Sequence, residues 1–241
     1  MQTTINTKVT FEGTGLHFGQ PVTVIVCPAP ANHGIVFRRM DVDAHMSDVP
    51  ALWNHVIVSP LNTRIENRVG TSVSTIEHIM AALAGCGLHN ALIEVTGPEI
   101  PILDGSAAQF VEGFLLAGIR RLNTPLRVIE VQKFVSVTVG EAKARLDPAD
   151  TLLIRFEIDF ADSAIGHQEK TLNMSNGAFV RELCNSRTFC RSSDVDAMRA
   201  QGLALGGTLE NAVVVDGENV LSPGGLRYKD EAVRHKMLDA L

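Results

Sequence analysis

Residues 230–241 read Asp230-Glu231-Ala232-Val233-Arg234-His235-Lys236-Met237-Leu238-Asp239-Ala240-Leu241. Two acidic residues open the stretch, where the helix dipole favours negative charge. Apolar Val233, Met237 and Leu241 then recur every four positions. This pattern predicts an amphipathic helix whose apolar stripe packs against the rest of the protein.

The same helix carries a histidine and a carboxylate at matching positions. His235 and Asp239 are four residues apart, so their side chains lie one above the other, roughly opposite the apolar stripe. We expect the pair to face away from the packed side, where it can bind one cation. An ordinary His/Asp pair on a solvated helix surface fits the local spacing as well.

Composition limits the possible functions. The chain has 241 residues, 45% of them hydrophobic and 20% charged, which is typical of a globular protein of one large or two modest domains. A net charge of -6 without any basic run argues against a nucleic-acid surface. Residues 1–6 lack the features of a signal peptide, and no stretch approaches the roughly 20 apolar residues of a membrane span. We expect a cytoplasmic monomer.

The cysteines occur singly, without a C-x-x-C pair, and therefore indicate neither a disulfide framework nor a thiolate zinc site. We expect buried or inert thiols at Cys27, Cys86, Cys184 and Cys190.

The first half is rich in strand patterns. Residues 8–11, 22–26 and 34–39 are β-branched or alternating runs separated by glycine and proline, and they outline an antiparallel meander. The glycine-rich stretch 13–19 is not followed by a helix pattern, so a dinucleotide site is weakly indicated. His17 within it is typical of a loop or half-buried histidine.

A second polar pair, Glu77-His78, precedes an apolar run. Ser74 and Glu77 have the form of a capping box, and residues 79–85 predict a buried helix. A glutamate that only caps and a histidine that only packs would explain the pattern. Metal-dependent hydrolysis requires the same pair, since one group holds the ion and the other takes a proton from water.

The remaining patterns predict the overall architecture. After a strand at 90–95, a helix with Phe110, Val111, Phe114 and Leu115 on one face ends near Gly118. Asp104, before this helix, fits a catalytic role or, more commonly, a cap. Further strands are predicted at residues 126–131, 135–139, 144–146 and 152–158.

Because strands followed by helix occur twice, we predict an α+β fold with two similar domains, residues 1–123 and 126–241. Within the second domain, short helices are predicted at 179–184 and 195–202 and a strand at 211–217. This segment fits either a piece of core or a small apolar channel, because glycines allow close backbone approach beside apolar side chains. The apolar side chains are Val195, Met198, Leu203 and Val214.

Five motifs resemble, in order, those of the UDP-3-O-acyl-N-acetylglucosamine deacetylase family, and the similarity runs through essentially the whole chain. They are Gly15-Leu16-His17, residues 74–83, residues 98–106, Ser186-Arg187-Thr188-Phe189 and residues 234–239. The resemblance implies a zinc amidase of lipid A biosynthesis in Gram-negative bacteria. It also implies mostly antiparallel sheets on the outside, with helices packed between the two domains.

By position, the resemblance implies that His78, His235 and Asp239 bind zinc, with water in the open fourth position. It implies that Glu77 is the general base for attack on the acetamide, and that Thr188 helps to hold the oxyanion.

The resemblance also implies contacts with a UDP-3-O-acyl-N-acetylglucosamine substrate. Phe189 and Lys236 match positions that contact the sugar-nucleotide part, where an aromatic face and a cation suit a ring and a phosphate. Residues from about 190 to 220 match an insert that forms the acyl-chain passage. The lining residues that we expect are Val195, Gly207 and Val214.

One feature departs from the family pattern. Family members continue beyond Leu241, with an aspartate shortly after Asp239 and a later histidine that protonates the leaving amine. We therefore expect a C-terminally incomplete chain that binds zinc but turns over poorly, because general-acid assistance is worth about 10² to 10⁴ in rate. His167 is not expected to substitute.

Two alternatives stay open at this point. The chain could be a non-catalytic, zinc-stabilised protein that binds acyl-sugar nucleotides, and Glu77 discriminates, since such a protein needs no carboxylate beside the metal. It could also be the N-terminal portion of a fusion protein. Two nitrogens and one carboxylate do not select zinc uniquely, so iron or another divalent ion also fits the donors.

Overall fold

The computed structural model describes residues 1–241, and its first half contains ten strands and two helices. The strands are β1 (Thr3–Ile5), β2 (Val9–Thr14), β3 (Pro21–Pro28), β4 (Ile35–Arg39), β5 (Asp48–Pro50), β6 (Val56–Ile57), β7 (Arg64–Glu66), β8 (Ser72–Val73), β9 (Ala91–Val95) and β10 (Ile119–Arg121). The helices are α1 (Glu77–Gly85) and α2 (Ala108–Ala117).

Five of these strands form one sheet in the order β2-β3-β9-β4-β5. β9 is antiparallel to β3 and parallel to β4. The predicted meander is therefore wrong, because a strand from later in the chain lies between β3 and β4. Along β3, Val22, Val24 and Val26 point to the buried face, as the two-residue period of a strand requires.

α2 packs on this sheet through aromatic contacts. The ring of Phe11 on β2 meets Phe110 and Phe114 edge-on, with centroid distances of 4.9 and 5.8 Å. Gly113 permits this approach, since an added Cβ would lie 2.6 Å from the Phe11 ring. Leu115, predicted on the apolar face, is 53% exposed, because the buried face of the helix is narrower than the apolar pattern.

α1 begins at Glu77, and the predicted capping box is wrong. Ser74 does not cap, because its backbone is held extended: its N–H donates to the Pro98 carbonyl and its carbonyl accepts from the Ile100 N–H. Thr75, at φ 57°, then turns the chain into the helix. The rest of α1 is buried on most sides, as predicted.

The second half contains seven strands and two helices. The strands are β11 (Val135–Val139), β12 (Ala142–Leu146), β13 (Leu153–Asp159), β14 (His167–Asn173), β15 (Phe189–Arg191), β16 (Val213–Asp216) and β17 (Asn219–Val220). The helices are α3 (Ser192–Ala200) and α4 (Glu231–Asp239), and a single π turn covers Phe179–Leu183.

β11–β12 and β13–β14 are antiparallel hairpins, while β15, β16 and β17 form a small mixed sheet. Residues 126–131 form no strand, so that prediction is wrong. A β-branched run becomes a strand only where a partner completes its backbone hydrogen bonds, and these residues have none. Mixed helices and mostly antiparallel sheets confirm the predicted α+β class.

The main core is shared by both halves of the chain. A cluster of 28 buried residues combines the large sheet, α1 and α2 with Phe179, Leu183, Met237 and Leu238. α4 packs against α1, β13 and β14. The proposed domain limits, 1–123 and 126–241, stay a prediction. No helix has both the length and the apolar character needed to cross a bilayer.

Candidate metal centre and adjoining cavity

α4 is buried on two sides, which corrects one expectation. Its apolar stripe packs as predicted, with Val233 and Met237 fully buried and Leu241 against the main core. His235, expected to face away from the packed side, is only 1% exposed. The reason is that α1 and α4 lie against each other, so the ligand side of α4 faces the protein interior.

Three side chains from α1 and α4 converge there. The rings of His78 and His235 meet edge-on with centroids 5.0 Å apart, and Nε2 of His235 lies 3.4 Å from Oδ1 of Asp239. One ligand atom from each of the three residues lies within 4.8 Å of the others. Tetrahedral coordination with bonds of about 2.0–2.2 Å places neighbouring ligand atoms roughly 3.3–3.6 Å apart. The cluster thus has nearly the dimensions of a three-ligand metal site.

Hydrogen bonding fixes which nitrogen of His235 can bind an ion. Nδ1 lies 3.0 Å from the carbonyl oxygen of Ser186. A carbonyl only accepts, so Nδ1 carries the proton and donates, and Nε2 keeps its lone pair toward Asp239.

The electrostatics of the cluster also suit a cation. Burial lowers the pKa of both histidines, that of His78 to about 3, so both imidazoles are neutral. The pKa of Asp239 is lowered: burial opposes this change, but the polar surroundings of the carboxylate, which include His235 and the ammonium group of Lys236, outweigh it. Oδ1 of Asp239 is buried without a hydrogen-bond partner. An orphaned carboxylate oxygen beside two neutral imidazoles is the donor set that a divalent ion requires.

Glu77, the first residue of α1, stands beside His78. Its Oε2 accepts a hydrogen bond from the Thr63 N–H at 3.0 Å. Burial raises the pKa of Glu77 to about 7, and the negative charge of Asp239 contributes to the increase. A carboxyl group with a pKa near neutrality can both accept and release a proton at physiological pH.

A cavity of about 440 Å³ adjoins this cluster. The three residues expected to line the acyl passage, Val195, Gly207 and Val214, border this cavity. Met198, Thr188 and Phe189 also border it, whereas Leu203 does not. Leu16 and His17, from the first half of the chain, also line it. The cavity therefore lies where residues 190–214 meet the first half of the chain, and its use as an acyl channel stays a prediction.

Phe189 and Lys236 connect the cavity to the metal-ligating residues. The ring of Phe189 lies 6.5 Å from that of His235, centroid to centroid. Nζ of Lys236 lies 5.8 Å from the Phe189 centroid and donates to Oδ2 of Asp239 at 2.7 Å. An aromatic face and a cation thus stand where the cavity meets the cluster.

Thr188 is placed by its backbone. Its N–H donates to the carbonyl of Gly105 at 2.7 Å. Gly105 has φ 84°, and an added Cβ would lie 2.1 Å from the carbonyl oxygen of Asn211, so only glycine fits. The neighbouring Asp104 does not cap α2, because the helix begins beyond it with Ala107 at the N-cap position. Its carboxylate instead accepts from Ser106 and from Arg227.

Sequence reasoning missed the buried polar groups around these residues. His17 is 3% exposed, and its Nε2 has no hydrogen-bond partner. Glu99 is 2% exposed and accepts from the backbone of His17 and Phe18. Glu231, first in α4, is 1% exposed. These residues lie in or beside the motifs quoted above, but local patterns do not distinguish a buried charge from an exposed one.

Known proteins are similar to this chain over nearly its whole length. The family described as UDP-3-O-acyl N-acetylglycosamine deacetylase matches residues 2–241. Three similar curated proteins are named UDP-3-O-acyl-N-acetylglucosamine deacetylase. The one from an Anaeromyxobacter species is 45% identical over 241 residues, covering 100% of this chain and 78% of the relative. The one from Phenylobacterium zucineum is 46% identical, covering 100% and 82%, and that from Pseudoalteromonas atlantica 44%, covering 100% and 79%. The chain therefore belongs to the UDP-3-O-acyl N-acetylglycosamine deacetylase family.

Proposed function

We propose that this protein is a zinc-dependent amidase that removes acetate from UDP-3-O-acyl-N-acetylglucosamine, a reaction of lipid A biosynthesis. The observation that carries the proposal is a carboxyl group of raised pKa, Glu77, beside three converging metal-ligating side chains. Zinc is the ion we propose, because three protein ligands of nitrogen and oxygen type, with one position left open, are typical of catalytic zinc sites.

His78, His235 and Asp239 would hold the ion. When bound there, it would polarise the amide carbonyl and make a water molecule more acidic. Glu77 accepts the proton that this water loses as its oxygen attacks the acetyl carbon. Thr188 supplies a hydroxyl at the cavity wall that can donate to the carbonyl oxygen as negative charge develops on it.

Cleavage of the C–N bond then gives acetate and the free amine of the sugar. The amine needs a proton, and Glu77 holds the one that it accepted in the first step. A single residue that serves as both base and acid agrees with the slow turnover that the family resemblance implies. The product balance is one water consumed for one acetate and one amine released.

The cavity and the residues between it and the cluster support an acylated nucleotide sugar as the substrate. Its apolar lining, which includes Val195 and Val214, suits an acyl chain. Phe189 and Lys236, where the cavity meets the cluster, offer an aromatic face and a cation, which suit the sugar ring and a phosphate of a nucleotide sugar.

The rival function is a zinc-stabilised protein that binds acyl-sugar nucleotides without hydrolysing them. Such a protein needs the ligands and the cavity but has no use for a base. The raised pKa of Glu77 favours the enzyme, because a group kept near its titration point suits proton transfer.

The test is the variant Glu77→Gln, which keeps the shape of the side chain and removes the base. We expect acetate release to fall by about 10² or more, with the zinc content per chain unchanged. Glu112→Gln, on the exposed side of α2, is the matched control and should behave as the wild type. Acetate release by Glu77→Gln at the wild-type rate would favour the rival function.

A further inference from the structure

Glu231 is a buried acid for which the proposed reaction has no role. It is 1% exposed and is the first residue of α4. It precedes His235 by four positions and Asp239 by eight, so all three side chains lie along one side of the helix. Because Glu231 shares this side of α4 with His235 and Asp239, a contact that holds Glu231 in place also affects where those two side chains lie.

The carboxylate of Glu231 is fully satisfied, mainly by one arginine. Oε1 accepts from the backbone N–H and from Nε of Arg187, both at 3.0 Å. Oε2 accepts from Nη2 of Arg187 at 3.2 Å and from the backbone N–H of Arg227 at 2.6 Å. Arg187, 5% exposed, also donates to the Gly225 carbonyl. The pair forms a two-pronged bridge with no exposed edge.

Arg187 lies between two residues that already belong to the site. The carbonyl of Ser186 accepts the Nδ1 proton of His235, and Thr188 lines the cavity. The loop 186–188 is thus attached to α4 at two points one helical turn apart, Arg187 to Glu231 and Ser186 to His235. The core packing of Val233 and Met237 holds the opposite side of α4, and these two attachments set the position of the His235 side against the loop.

Stability alone is a poor explanation for such a pair. Replacing a buried ion pair by apolar residues of similar volume is often neutral or stabilising, because removing two charges from water is costly. Groups that orient a metal-ligating histidine have a different effect, since their loss typically weakens metal affinity 10–100-fold.

We propose that Arg187 and Glu231 are positioning residues that set α4 against the loop 186–188, so that His235 and Asp239 face His78 at metal-binding distance. The inference rests on the proposed function only in taking the cluster to bind a divalent ion. Neither residue lines the cavity or belongs to the three-residue cluster.

The experiment measures Zn²⁺ affinity of the full chain by competition with a chromophoric chelator, well below the unfolding temperature. Glu231→Gln keeps the size of the side chain but removes its charge, and Arg187→Lys keeps the charge but removes the two-nitrogen contact of the guanidinium group. Both variants should bind Zn²⁺ 10–100-fold more weakly. The double variant Arg187→Met/Glu231→Leu removes both charges at once and should show the same loss. Circular dichroism checks that it folds, because the backbone N–H groups of Arg187 and Arg227 lose their acceptor. The exposed pair Arg155–Glu169, with Nε and Oε1 2.7 Å apart, supplies the control Glu169→Gln, expected within twofold of wild type.

Wild-type affinity in the folded double variant would overturn the inference. Nitrogen-15 NMR of His235 in metal-free protein gives a second decision: wild type should show the proton fixed on Nδ1, and Glu231→Gln should show a mixture of tautomers. A single Nδ1-protonated tautomer in Glu231→Gln, as in the wild type, would contradict the positioning role. If the wild type releases no acetate while the variants still lose Zn²⁺ affinity, the proposed function fails and the positioning role stands.

Discussion

Thr75 holds a backbone conformation that a β-branched residue rarely adopts, with φ 57°. Such a conformation costs about 1–3 kcal/mol and persists where the surroundings impose it. Here Oγ1 of Thr75 donates to the buried carboxylate of Glu99 at 2.8 Å and accepts from Nδ2 of Asn62 at 3.2 Å. This turn, two residues before Glu77, sets the direction in which α1 begins and so places Glu77 and His78 near His235 and Asp239.

We predict that Thr75→Ala destabilises the protein more than Thr75→Gly. Both variants lose the hydrogen bond to Glu99, but alanine keeps a Cβ in the left-handed region whereas glycine has none. The difference in free energy of unfolding should be about 1 kcal/mol, measured by urea denaturation. Equal stabilities of the two variants would mean that Thr75 is not strained.

Individual residues also mark how far sequence reasoning reaches. Spacing on one helix placed His235 beside Asp239, because a helix fixes neighbours four positions apart. Spacing cannot predict that His78 lies beside them, because 157 positions separate His78 from His235. The prediction that the three residues share one site came from the family resemblance. The burial of Glu231 was missed for the same reason: its partner, Arg187, is distant in sequence.

At the scale of elements, regular patterns were read correctly where local physics decides them. α2, α4 and the alternating strand β3 lie within a few residues of their predicted positions. Prediction failed where a distant segment decides. Ser74 pairs with the loop at Pro98 instead of capping α1, β9 enters the sheet between β3 and β4, and residues 126–131 find no partner strand.

Gly113 on α2 shows packing overriding propensity, and it gives a prediction. Alanine in a helix interior is favoured over glycine by about 1 kcal/mol. At this position its Cβ would lie 2.6 Å from the Phe11 ring, and overpacking typically costs about 1–3 kcal/mol. We therefore expect Gly113→Ala to be destabilising in urea denaturation.

The neighbouring exposed position supplies the control for this prediction. Glu112→Ala, on the outer side of the same helix, should change the free energy of unfolding by less than about 0.5 kcal/mol. If Gly113→Ala were stabilising, the contact between α2 and β2 would have to be looser than described.

For the whole molecule, the shared core means that its two halves should unfold together. Met237 on α4 is fully buried in the same cluster as Ile93 on β9. We predict that Met237→Ala costs about 2–5 kcal/mol and lowers the hydrogen-exchange protection of β9 amides as much as that of α4 amides.

Met40→Ala, at a side chain that is 54% exposed, is the control for Met237→Ala and should leave both sets of amides protected as in the wild type. A loss of protection confined to α4 would show that the halves unfold independently.

The origin of the three ligand residues has a consequence for how long the fold survives. Of the proposed ligands, His78 lies on α1 and His235 and Asp239 lie on α4, so a bound ion would link the two halves of the chain. By mass action, free zinc at a hundred times its dissociation constant adds about 2.7 kcal/mol to the free energy of unfolding. The availability of zinc in the cell would thus set the lifetime of the folded protein as well as its catalytic output.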